Sequence, residues 1–106
     1  MASNPDFVEY IRGQLSGAGE ITCKKMFGDY SVYCDGKIIG LICDNQFFLK
    51  KTDAGLDKGF EEAPPYPGAK PAFLVDSADD REEMARLVRA TYEALPEPKP
   101  KKKKQG

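Results

Sequence analysis

Between residues 24 and 51 the chain reads KKMFGDYSVYCDGKIIGLICDNQFFLKK, in which short apolar, β-prone runs alternate with residues suited to tight turns. Asp35-Gly36 and Asp44-Asn45 each separate two such runs by two residues that tolerate positive φ, the strongest short-range signal for a β-hairpin. Strands are expected over 20–27, 30–34, 37–43 and 46–51, with the first turn at Gly28-Asp29. Upstream, Phe7, Tyr10, Ile11 and Leu15 recur at helical spacing within 6–16. Asn4 is placed to cap that helix and Pro5 to occupy its first position, while Gly17 and Gly19 end it. Downstream, 53–62 predicts a short, weak helix interrupted by Gly55 and Gly59. Residues 63–71, with four prolines and Gly68, predict a loop leading to a fifth strand over 72–76. Ser77 to Asp80 offer capping oxygens to a final helix over 79–95, whose stripe of Met84, Leu87, Val88, Tyr92 and Leu95 is expected to lie on the sheet. The pattern as a whole predicts an α+β domain, an antiparallel meander of about five strands flanked by an N-terminal and a C-terminal helix.

Two-residue loops also predict which side chains share a face. With Asp35-Gly36 and Asp44-Asn45 as the loops, Val32 is expected opposite Ile39 and Ile42 opposite Phe47. One face then collects Tyr30, Val32, Cys34, Ile39, Leu41, Cys43 and Phe48, and the other collects Tyr33, Ile38, Ile42, Phe47 and Leu49. Both faces are apolar, yet two helices cover only one, and each buried Phe, Leu or Ile is worth about 1.5–3 kcal/mol. The second face, Tyr33, Ile38, Ile42, Phe47 and Leu49, is therefore expected to meet a second copy of the chain or another protein partner. The alternative is that the weak helix and the proline-rich loop fold over it.

The composition narrows the function classes. At 106 residues and 41% hydrophobic, the chain suits one domain, here placed at 1–95, with a core that needs neither disulfide nor metal. Three widely spaced cysteines, Cys23, Cys34 and Cys43, and the lack of a secretory segment point to a reduced, cytoplasmic setting. No apolar run approaches the roughly 20 residues that cross a bilayer, so no membrane role is expected. The net charge of −1 is unevenly spread: residues 1–95 hold 11 Lys+Arg against 16 Asp+Glu, and residues 96–106 hold five lysines against one glutamate. That last segment, PEPKPKKKKQG, has no apolar anchor to offset its ordering entropy and is expected to be a disordered tail. Its Lys99, Lys101, Lys102, Lys103 and Lys104 could neutralise phosphates without reading sequence, making weak, non-specific nucleic-acid binding the alternative function.

Signals of catalysis are sparse. The chain has no histidine, which removes the usual general base, the Ser-His and Cys-His pairs and most zinc sites. The cysteine spacings lack paired C-x-x-C geometry, so buried structural thiols are expected; a redox role for Cys23 would draw on Lys24 and Lys25. Asp76, Asp79, Asp80, Glu82 and Glu83 cluster where a helix N-terminus favours negative charge, which makes capping the expected role. No enzyme activity, cofactor or metal is expected. A small-molecule site under the proline-rich loop near Tyr66 and Phe73 is a third reading, contingent on a lined pocket there.

The run from Lys25 to Ile42, KMFGDYSVYCDGKIIGLI, resembles the signature of the N-terminal domain family of TfoX/Sxy, bacterial regulators of natural competence. The opening ASNPDFVEYIRGQLSGAGEITCKKMFG, the later FLKKTDA and the final helix are also similar, so the resemblance spans residues 3–95. Asp29 stands where many members carry a second glycine. The resemblance implies helices packed on an antiparallel sheet, frequent dimerisation, and a regulatory or protein-interaction role without catalysis. Full-length competence regulators add a C-terminal domain, whereas this chain carries a lysine tail in that place.

Overall fold

A computed structural model describes residues 4–26 and 29–95. Helix α1 (Pro5–Leu15) starts where the Asn4 side chain accepts a hydrogen bond from the Asp6 N–H, and it buries Val8, Ile11 and Leu15. Val8 joins the expected stripe, whereas Tyr10 turns outward. A short 3-10 turn (Ser16–Ala18) leads to the strands β1 (Ile21–Met26), β2 (Asp29–Cys34), β3 (Lys37–Cys43) and β4 (Gln46–Leu49). A second 3-10 turn (Asp53–Lys58), β5 (Glu61–Ala63), β6 (Ala72–Val75) and α2 (Arg81–Ala94) complete the order. The sheet has six strands in the order β1-β2-β3-β4-β6-β5, every pairing antiparallel.

Both hairpin turns take the left-handed backbone that their residues suggested. Asp35 and Gly36 have φ of 49° and 86°, and Asp44 and Asn45 have 54° and 58°, as a turn matching the strand twist requires. The weak helix expected over 53–62 is instead the 3-10 turn, ended by Gly59, followed by the short edge strand β5. Glu61-Glu62-Ala63 shows no alternating pattern of its own and becomes a strand through its ladder with β6, where Glu62 pairs with Phe73. That strand raises the count from about five to six.

The face assignment differs from the expectation, and one residue is responsible. Tyr33 pairs with Ile38 but Val32 pairs with Gly40, so Ile39 is an extra residue on β3 and Val32 does not face it. Such a β-bulge shifts the alternation of everything beyond it. Gly40 permits the distortion, since a Cβ there would lie 2.3 Å from the Phe48 carbonyl oxygen. Ile39 and Ile42 consequently share one core with Val32, Cys34, Phe47, Leu49, Phe73 and Val75. Both helices cover this side, α1 through Val8, Ile11 and Leu15, and α2 through Met84, Leu87 and Val88.

Two polar contacts lock α2 in place. The Lys37 ammonium, on a residue only 5% exposed, donates to the Tyr92 and Leu95 carbonyls at 2.9 and 3.0 Å and sits 4.1 Å from the Tyr92 ring centroid. It thereby serves carbonyls at the end of α2 that lack helical partners, where a cation is also favoured by the helix dipole. Arg89 donates to Asp35 at 2.8 Å and to the Ala18 carbonyl at 3.3 Å, tying α2 to the β2–β3 turn and to the first 3-10 turn.

Candidate functional site

The side of the sheet away from the helices is the candidate site. On β2 and β3 it carries Tyr33, Ile38 and Leu41, which alternate with core residues and are half-buried. Further along, Cys43, Phe48 and Ala72 form a second, smaller apolar cluster, with Leu41, Ala63 and Leu74 packed against it. The residues expected on this face divide accordingly. Tyr33 and Ile38 lie on it, whereas Ile42, Phe47 and Leu49 are at most 1% exposed in the helix-covered core and form no part of a surface. Leu41, Cys43 and Phe48, assigned to the helix side by a regular register, take their place, and the bulge at Ile39 is the physical reason. Gly40 inside an apolar strand was the one available sequence signal of that bulge.

The proline-rich loop after β5 bends over the β4–β6 half of this face. Its turn is closed by the Ala69 N–H donating to the Tyr66 carbonyl at 3.0 Å, with Gly68 at φ 88°. The second 3-10 turn does not join it. That turn packs on the helix side, where Lys58 pairs with Glu83 at 3.2 Å and Gly55 fits so closely that a Cβ would lie 2.6 Å from the Phe73 ring. Between loop and sheet runs a groove of about 690 Å³. Its floor is Ile38, Leu41, Phe48 and Ala72; its wall is Pro65, Tyr66, Ala69 and Pro71; Leu95 closes one end. Tyr66 therefore lines a pocket, as the third reading required, while Phe73 does not: it is 2% exposed in the main core, its ring 5.8 Å from that of Phe60.

Lys50, Lys51 and Lys70 stand at the groove's rim. Lys51 is paired with Glu62 at 2.9 Å. Lys50 and Lys70 are exposed and have no ion-pair partner among the described residues. These two cations were not singled out by sequence, because only the fold of the loop brings residues so far apart in the chain to one rim.

The remaining candidates resolve into structural roles or fall outside the described residues. Burial pushes the Cys23, Cys34 and Cys43 thiols up, away from the thiolate a redox site needs. Lys24 does not help Cys23, since its ammonium lies over the Tyr33 ring, 5.2 Å from the centroid. Asp80 caps α2 by accepting from the Glu83 N–H at 3.1 Å, and Asp79 accepts a hydrogen bond from the Tyr10 hydroxyl. Among the described residues no group of three or more Cys, Asp or Glu is placed to hold a metal, and no helix is long and apolar enough to cross a membrane. Lys99, Lys101, Lys102, Lys103 and Lys104 lie outside the described residues.

Two comparisons bear on most of the chain. Residues 13–95 match the family described as TfoX N-terminal domain. A protein of Spirochaeta aurantia named "Uncharacterized 12.7 kDa protein in trpE 5'region" is 38% identical over 109 residues, an alignment covering 98% of this chain and 93% of that protein.

Proposed function

This chain belongs to the TfoX N-terminal domain family, and from that premise we propose that it is a non-enzymatic regulatory domain that acts by self-association across its open sheet face. The observation that carries the reading is the half-exposed strip of Tyr33, Ile38 and Leu41 on the side that neither helix covers. An apolar strip of this kind on a sheet normally marks a contact surface. Ile38 and Leu41 also line the groove under the proline-rich loop, whereas Tyr33 does not, so Tyr33 marks the end of the strip clear of that groove. The absence of histidine and the raised cysteine pKa values leave no ordinary nucleophile–base pair, which favours a binding role over a catalytic one. A cytoplasmic setting accords with three unpaired thiols.

Sedimentation velocity over a range of concentrations tests the proposal. The expected result is a reversible dimer that Tyr33→Asp with Ile38→Asp converts to a monomer of unchanged helical content. A wild-type monomer at the highest concentration, or a dimer indifferent to both substitutions, would overturn it.

A further inference from the structure

We propose that the groove beneath the proline-rich loop is a binding site for a small amphipathic anion, a molecule with an aliphatic or aromatic body and one carboxylate. The inference goes beyond self-association, because the groove is built within one chain, although it shares Ile38 and Leu41 with the proposed contact strip. Its volume of about 690 Å³ falls in the range of small-molecule sites, which are mostly apolar with few polar groups that fix orientation. Leu41 and Phe48 supply the apolar floor, and Tyr66, 53% exposed, supplies a wall with unused ring surface.

Charge chooses the class of occupant. Residues 1–95 are net acidic, with 11 Lys+Arg against 16 Asp+Glu, yet the groove's rim is basic. Of its three lysines, Lys51 is satisfied by Glu62, which leaves Lys50 and Lys70 without an ion-pair partner among the described residues. A ligand lying on Leu41 and Phe48 with its carboxylate at the rim would meet both requirements together. Two exposed lysines contribute modestly to affinity, about fivefold together, and more to the preference for an anion over a cation.

The test is isothermal titration calorimetry of the full chain with decanoate and with decyltrimethylammonium, which share a decyl chain and differ in the sign of the head. Decanoate should bind one to one and more tightly than the cation. Lys50→Gln with Lys70→Gln should weaken decanoate about fivefold and leave the cation no weaker, while Tyr66→Ala should weaken both. Replacing the five tail lysines by glutamine, in the same full-length chain, should leave the preference for decanoate intact. Binding of neither probe, equal binding of both, or a preference lost with the tail lysines rather than the rim would each overturn the proposal. Sedimentation of the same samples keeps the outcomes separate, for a monomer that still selects decanoate removes self-association and leaves the ligand site standing.

Discussion

Both faces of this sheet carry large apolar residues, yet their fates are opposite. On the helix side, Val32, Ile39, Ile42 and Leu49 are fully buried beneath two amphipathic helices. On the other side, Tyr33, Ile38, Leu41 and Leu74 remain half-buried, and a loop of prolines arches over Ile38 and Leu41 and leaves a groove. Helices close a face because their side chains interdigitate along an entire stripe, whereas an irregular loop presents no repeating stripe to do so. Apolar content therefore says that a face must meet something; what it meets depends on which elements the chain can bring to it.

Neighbouring residues on β3 give the sharpest way to break this comparison. Ile42→Ala should cost about 2–5 kcal/mol in urea unfolding, as for a fully buried aliphatic side chain. Leu41→Ala, one position away on the half-covered face, should cost about 1 kcal/mol or less. Equal losses would mean that the open face is as tightly packed as the core.

A smaller effect of opposite sign is expected at Thr91, which is fully buried on α2 and whose hydroxyl has no hydrogen-bond partner among the described residues. Thr91→Val keeps the shape and removes the unsatisfied oxygen, so stability should rise by about 1 kcal/mol and the melting temperature by several degrees. An unchanged or lower melting temperature would show that the hydroxyl has a partner in solution.

The smallest expected effect concerns pH. The Glu20 N–H, donating at 2.8 Å, holds the Asp35 carboxyl below its ordinary value, with Arg89 contributing. A carboxylate whose pKa is lowered on folding contributes stability that is full above the unfolded value, near 3.9, and is lost as pH falls through the folded value. Stability should thus decline below about pH 4, and Asp35→Asn should flatten that acid limb while leaving its slope above pH 5 unchanged. An identical acid limb in the variant would remove Asp35 from the account.

Legibility in the sequence followed the range of the interactions. The turn at Asp35-Gly36, the cap at Asn4 and the stripe of α2 were readable because each depends on residues a few positions apart. β5 was not readable, since Glu61-Glu62-Ala63 is a strand only by virtue of β6 beside it. The assignment of Ile42, Phe47 and Leu49 to an interaction surface failed for a related reason: periodicity carries a face across a strand only while the register holds, and the extra Ile39 breaks it. The rim lysines and the burial of Lys37 beneath the end of α2 were silent in the sequence, because each joins segments distant along the chain.

By itself, then, the amino-acid sequence determined the α+β class, the hairpins, both helices and membership in a family, all of which follow from local propensity, turn chemistry and motif. Tertiary structure alone decided which apolar residues the helices would cover, that a proline-rich loop would arch over the other face, and that Lys50 and Lys70 would stand at one rim. The division has a physical cause: local preferences are summed over neighbouring residues, whereas the identity of a face depends on one bulge and on where a long connection finds room to pack.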